Sequence, residues 1–225
     1  MQMWLRGGVL ALLAGGAIGG ALLAGQGMWL HWLCKPLATL WLITWVVQMA
    51  VPPARRHYRR WVLAGLCLSL LGDVLLMLPQ GLFVPGLVAF LLAHLCYIVA
   101  FVAGARGGAL LTGGVVAAVL GGGNLLALWP HLPPPMQVPV TAYVLVIAGM
   151  AALALAAALG AGSSPASRRA AAGALLFVAS DSWLAWDRFA GPLPLAIVGV
   201  LVTYWAAQWL IAASVQASAG RSLEQ

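Results

Sequence analysis

Eight runs of about 20 apolar residues, parted only by short charged or Pro/Gly-rich breaks, make up nearly all of this chain, and that is the length a helix needs to cross the hydrocarbon core of a bilayer. The runs lie near 7–25, 33–51, 61–78, 84–103, 109–129, 138–160, 171–187 and 193–215. With 64% hydrophobic and 7% charged residues, the chain cannot cover itself with a water-facing surface. A closed β-barrel would alternate apolar and polar residues in segments of about ten. The continuous Leu/Ala/Val runs instead predict helices. The expected fold is all-α: a polytopic membrane helix bundle of eight transmembrane helices, organised as a single domain over residues 1–225.

Arg6 followed by GGVLALLAGGAIGGALLAG has the basic start and small-residue tail of a signal peptide. The run is longer than the ~7–15 residues of a signal-peptide core, so it is expected to remain as the first helix. Gly15 with Gly19, and Gly16 with Gly20, form small-residue pairs at the spacing of close helix packing. They would seat this helix in its own bundle, and would also allow a homodimer.

Lys and Arg near helix ends are retained on the cytoplasmic side. With a cytoplasmic N-terminus, Arg6, Arg55, Arg56, Arg59, Arg60, Arg106, Arg168, Arg169 and Arg221 fall inside, while Lys35 and Arg188 remain outside. Both termini are therefore expected in the cytoplasm, in a protein integral to a bacterial inner membrane. The net charge of +7 follows from this topology and from attraction to anionic lipid headgroups, so nucleic acid is not needed as a partner. Cys34, Cys67 and Cys96 show no CxxC or Cys/His spacing, which predicts packing residues and no metal site. No cofactor is expected. Trp4, Trp29, Trp32, Trp61, Trp129 and Trp186 lie near segment ends, as in an interfacial aromatic belt.

Only four acidic residues occur, and two, Asp73 and Asp181, sit inside apolar runs. A carboxylate in hydrocarbon costs at least ~2.5–3.5 kcal/mol, so such residues face the bundle interior and mark function. At ~1.5 Å of rise per residue, Asp73, Asp181, His94 and Tyr204 share one level near the midplane. Ser69 with Asp73, His94 with Tyr97, and Tyr204 with Gln208 share helix faces. Lys35, Asn124 and Tyr143 fall nearer the outer end, and Asp187 with Arg188 are expected to be solvated at a helix end.

The segments CKPLATLWLI (34–43), LSLLGDVLLMLP (68–79), GLVAFLLAHLCYIVAF (86–101), VPVTAYVLVIAGM (138–150), GALLFVASDSWLAW (173–186) and LVTYWAAQWLIAAS (201–214) resemble, in order and spacing, the signature blocks of the lysoplasmalogenase, or YhhN-like, family. The resemblance runs from about 33 to 214 and is silent on the first helix. It implies an eight-helix membrane hydrolase that cleaves the vinyl-ether bond of lysoplasmalogens to a fatty aldehyde and glycerophosphocholine or glycerophosphoethanolamine. The family's polar positions carry over as Lys35, Asp73, His94, Tyr97, Tyr143, Ser180, Asp181, Tyr204 and Gln208.

The chemistry suits two buried carboxyl groups. An enol ether opens by protonation at its β-carbon, giving an oxocarbenium ion that water attacks. One group must donate the proton and another must stabilise cation and activate water, as in glycosidases. Asp73 and Asp181 are the expected pair, with His94 orienting water or shuttling a proton. Lys35, Tyr97, Asn124, Tyr143, Ser180, Tyr204 and Gln208 are the expected substrate contacts, Lys35 toward the lipid phosphate. The competing reading is a proton-coupled transporter that uses the same Asp/His relay. Transporters usually show internal repeats, and none relates the two halves here.

Overall fold

The computed structural model describes residues 2–23, 25–78 and 81–216; Arg221 and the Trp4 side chain lie outside what it describes. Among the described residues there are eight α-helices and no strand. They are α1 (Gln2–Leu23), α2 (Met28–Gln48), α3 (Arg56–Met77), α4 (Phe83–Val102), α5 (Ala109–Leu128), α6 (Pro134–Leu159), α7 (Pro165–Phe189) and α8 (Ala196–Ala213). Seven are long and apolar enough to cross a membrane. The eighth, α7, has the length at 25 residues but carries Arg168, Arg169, Asp181, Asp187 and Arg188.

Helix ends depart from the sequence expectation where polar residues belong to the first turns. α3 begins at Arg56 because its arginines continue the helical register instead of forming a loop. α6 and α7 begin with Pro134 and Pro165, whose fixed φ suits a first helical position. At α7 the Ser164 hydroxyl accepts the Ser167 N–H at 3.1 Å and the Ser167 hydroxyl accepts the Ser164 N–H at 2.8 Å, a reciprocal cap that fixes the start.

Consecutive helices pair as hairpins: α1 with α2, α3 with α4, α5 with α6, α7 with α8. Contacts between α2 and α3, α4 and α6, α6 and α7, and α8 and α2 close a ring of six helices. α1 lies outside this ring against α2 and α8, and α5 lies outside against α6 and α7. Inside it, Phe177 of α7 packs edge-on to His94 of α4 and Tyr204 of α8, at centroid distances of 4.6 and 5.5 Å. Large apolar side chains such as Leu12, Leu111, Leu126 and Val138 point outward, as a lipid-facing surface requires.

One end of the bundle gathers the arginines. Arg55 donates to the Ser214 carbonyl at 2.7 Å and Arg59 to the Met49 carbonyl at 2.8 Å, so the cations neutralise the exposed carbonyl ends of α8 and α2. Cys34 and Cys96 are buried, whereas Cys67 is exposed on α3.

Candidate active site

A cavity of about 560 Å³ occupies the half of the bundle away from the Arg55 and Arg59 end and has Arg188 in its lining. That volume lies in the range of small-molecule pockets. Its walls are apolar, with Phe90, Ile147, Val178 and Leu201 among the lining residues. The polar groups converge from α2, α3, α5, α6, α7 and α8.

On α2, His31, Lys35 and Thr39 follow at steps of four and so share one helix face. All three are buried. His31 donates from Nδ1 to the Ala17 carbonyl at 2.9 Å and thereby ties the face to α1. The Lys35 ammonium lies 3.5 Å from Asp73 Oδ1. Thr39 and Tyr204 donate their hydroxyls to Asp73 Oδ2 at 2.8 and 2.7 Å. Asp73 is 1% exposed, so these groups stand in for the water it has lost.

Behind Tyr204 the polar chain continues away from the cavity. Tyr97 donates to Gln208 Oε1 at 2.8 Å, and Gln208 Nε2 donates to the Tyr204 hydroxyl oxygen at 3.3 Å. This direction commits the Tyr204 proton to Asp73. A carbonyl occupied by Tyr97 leaves Gln208 only its amide hydrogens to offer Tyr204, which must then donate onward.

Asp181 is served differently. Tyr143 donates to its Oδ2 at 2.5 Å, and His94 Nε2 is 4.0 Å from the same oxygen. His94 is 0% exposed, packed edge-on to Tyr143 at 5.4 Å, and neither of its ring nitrogens has a hydrogen-bond partner.

Of the residues expected from sequence, Lys35, Asp73, Asn124, Tyr143, Ser180, Asp181 and Tyr204 line the one cavity. His94, Tyr97 and Gln208 do not; His94 backs Asp181, and the other two back Tyr204. Lys35 faces Asp73, and Ser180 donates to the Val200 carbonyl at 3.1 Å. Asn124 donates to Ser182 at 3.0 Å and accepts from Trp186 at 2.7 Å, which fastens α5 to α7. Trp186 thus has a partner inside the bundle, and Trp32 lines the cavity, so neither acts only in an interfacial belt. Thr39 and His31 were missed, although their four-residue steps from Lys35 were visible. Arg188 is exposed at the end of α7, as expected, and with the half-buried Asp187 it also lines the cavity.

Fold and site together define a polytopic membrane protein with a lipid-sized internal cavity and two carboxyl groups on its wall. The chain belongs to the YhhN family, whose profile matches residues 30–215. It is 38% identical over 182 residues to the Homo sapiens lysoplasmalogenase TMEM86B, covering 80% of this chain and 72% of that one. The Sus scrofa lysoplasmalogenase TMEM86B is 40% identical over 194 residues, with 86% and 78% covered. A Mycobacterium bovis lysoplasmalogenase is 36% identical over 190 residues, with 81% and 70% covered. No solved structure matches the chain.

Proposed function

We propose that this chain is a lysoplasmalogenase, hydrolysing the vinyl-ether bond of 1-alkenyl-lysophospholipids to a fatty aldehyde and a glycerophospho-alcohol in a bacterial inner membrane. The observation that carries the mechanism is the unequal supply of donors to two carboxyl groups on one cavity. Asp73 has an ammonium and two hydroxyls around it, a setting that suits an anion. Asp181 has one hydroxyl donor and no cation in contact, a setting that suits a group with a proton to give.

Asp181 protonates the β-carbon, and the electron pair of the double bond forms the new C–H bond. The positive charge left on the ether carbon and oxygen is stabilised by Asp73. Water then adds to that carbon and gives its proton to a carboxylate. The hemiacetal collapses with its hydroxyl proton passing to the departing glycerol oxygen, so one water is consumed and aldehyde and alcohol are released. The proton that the water releases returns to the Asp181 carboxylate, which restores the acid; His94 stands 4.0 Å behind Asp181 and off the cavity, a place that suits packing behind that carboxyl. The apolar walls leave room for the alkenyl chain and exclude bulk water, which strengthens each charge interaction.

The test is aldehyde release from lysoplasmalogen by the purified protein. Asp73→Asn and Asp181→Asn should each lower turnover about 10²-fold or more, the usual share of a positioned acid or base. The double variant should be little worse than the poorer single one, because the two act as a unit. Near-normal turnover in both variants overturns the mechanism, and proton flux in liposomes without aldehyde would favour transport.

A further inference from the structure

The substrate's phosphate needs a cation, and the cavity lining contains two: Lys35 and Arg188. Lys35 is committed to Asp73 at 3.5 Å and is buried. Arg188 has no carboxylate within 4.0 Å among the described residues, where Asp73 is approached by Lys35 and Asp181 only by the His94 ring. Its neighbour Asp187 is occupied in accepting the Leu193 N–H at 2.9 Å. The Arg188 guanidinium lies over the Phe83 ring, 5.0 Å from its centroid, and Phe83 in turn meets Phe189 edge-on at 5.8 Å. The cation of α7 is thus laid against the start of α4 at the mouth of the cavity.

Spacing relates Arg188 to the reacting centre. Arg188 follows Asp181 by seven residues, two helical turns, so both project from one face of α7 with an axial separation of ~10.5 Å. In a lysophospholipid, seven bonds separate the β-carbon that Asp181 protonates from phosphorus. At the ~3.5 Å that three backbone bonds span when extended, that is on the order of 8 Å. The remaining gap is about one hydrogen-bonded contact. Charge placement agrees, because the other arginines among the described residues cluster at the opposite end and Arg188 stands apart from them.

We infer that Arg188, held over Phe83, binds the phosphodiester of the substrate and sets the register that brings the vinyl ether to Asp181; this rests on the hydrolase reading for the substrate's class. A planar guanidinium offers two parallel N–H donors to a phosphate, a fit the paired Lys35 does not have. Arg188 is then a specificity residue that distinguishes a phosphorylated glycerol ether from a plain one.

The experiment measures binding, so that it does not depend on turnover. A saturated 1-alkyl-lysophospholipid, which has no bond to hydrolyse, and the matching 1-alkylglycerol are titrated into purified protein. Arg188→Ala should weaken the phospholipid analogue about tenfold or more, the range of a hydrogen bond to a charged group, and leave the alkylglycerol unchanged. Arg188→Lys should recover part of the loss. Equal weakening of both ligands would mean a damaged cavity and overturn the inference. Unchanged affinity for the phospholipid analogue, as when Arg188 meets only bystander bilayer lipid, would overturn it as well. If the wild-type protein released no aldehyde and yet kept phosphate-dependent binding that Arg188→Ala abolished, the hydrolase reading would fall and the phosphate site would stand.

Discussion

Lys35 and Asp73 lie 3.5 Å apart, each almost out of solvent, so removing either charge leaves the other uncompensated among apolar side chains. Breaking such a buried pair from one side costs about 3–5 kcal/mol, whereas removing both partners is often close to neutral. Lys35→Met should therefore lower the thermal stability of the detergent-purified protein sharply. Adding Asp73→Asn should restore most of it, because an asparagine oxygen still accepts from Thr39 and Tyr204. The double variant should nevertheless remain inactive. If Lys35→Met is as stable as wild type, the pair is not holding α2 to α3, and Lys35 is free for a different partner.

Between helices, approach is set by glycines, and α1 offers a controlled comparison. A methyl group on Gly20 would collide with the His31 backbone nitrogen and stand 2.8 Å from the Gly27 carbonyl oxygen, neither of which can move without shifting α2. On Gly19 it would meet nothing within 4 Å. Gly20→Ala should cost about 1–3 kcal/mol of stability, as overpacking does, and Gly19→Ala next to nothing, read as melting shifts in detergent. Sequence pattern had offered Gly15/Gly19 and Gly16/Gly20 as equals; only the seating of α1 on His31 and Cys34 separates them. The same limit runs through the chain. Apolar runs gave all eight helices, because segment length in a bilayer is set by hydrophobic thickness. They misplaced the starts of α3, α6 and α7, where arginine and proline count against an apolar run and yet suit a first helical turn. Shared depth placed Asp73 and Tyr204 at one level, and the structure joins them at 2.7 Å. It could not tell a cavity wall from the layer behind it, so Tyr97 and Gln208 are expected at the substrate, whereas Gln208 lies one hydrogen bond behind Tyr204 and Tyr97 two.

At the scale of the whole bundle, the charge asymmetry and the cavity point opposite ways. Arg55, Arg56, Arg59, Arg60, Arg106, Arg168 and Arg169 surround one end, and the cavity with Lys35 and Arg188 fills the other half. Lys and Arg are retained in the cytoplasm, so the arginine end should face inward and the cavity outward. In a cysteine-free background, His57→Cys at the arginine end and Pro192→Cys between α7 and α8 report on the two faces, since both positions are exposed. A membrane-impermeant maleimide applied to intact cells should label position 192 and reach position 57 only after permeabilisation. The converse pattern would invert the bundle and turn the cavity toward the cytoplasm. The outcome also fixes where a lysolipid meets the enzyme. A single-chain lipid keeps its headgroup at the interface, and Arg188 marks the mouth of the cavity, so with position 192 outside the phosphate approaches from the outer leaflet while its chain descends toward Asp73 and Asp181.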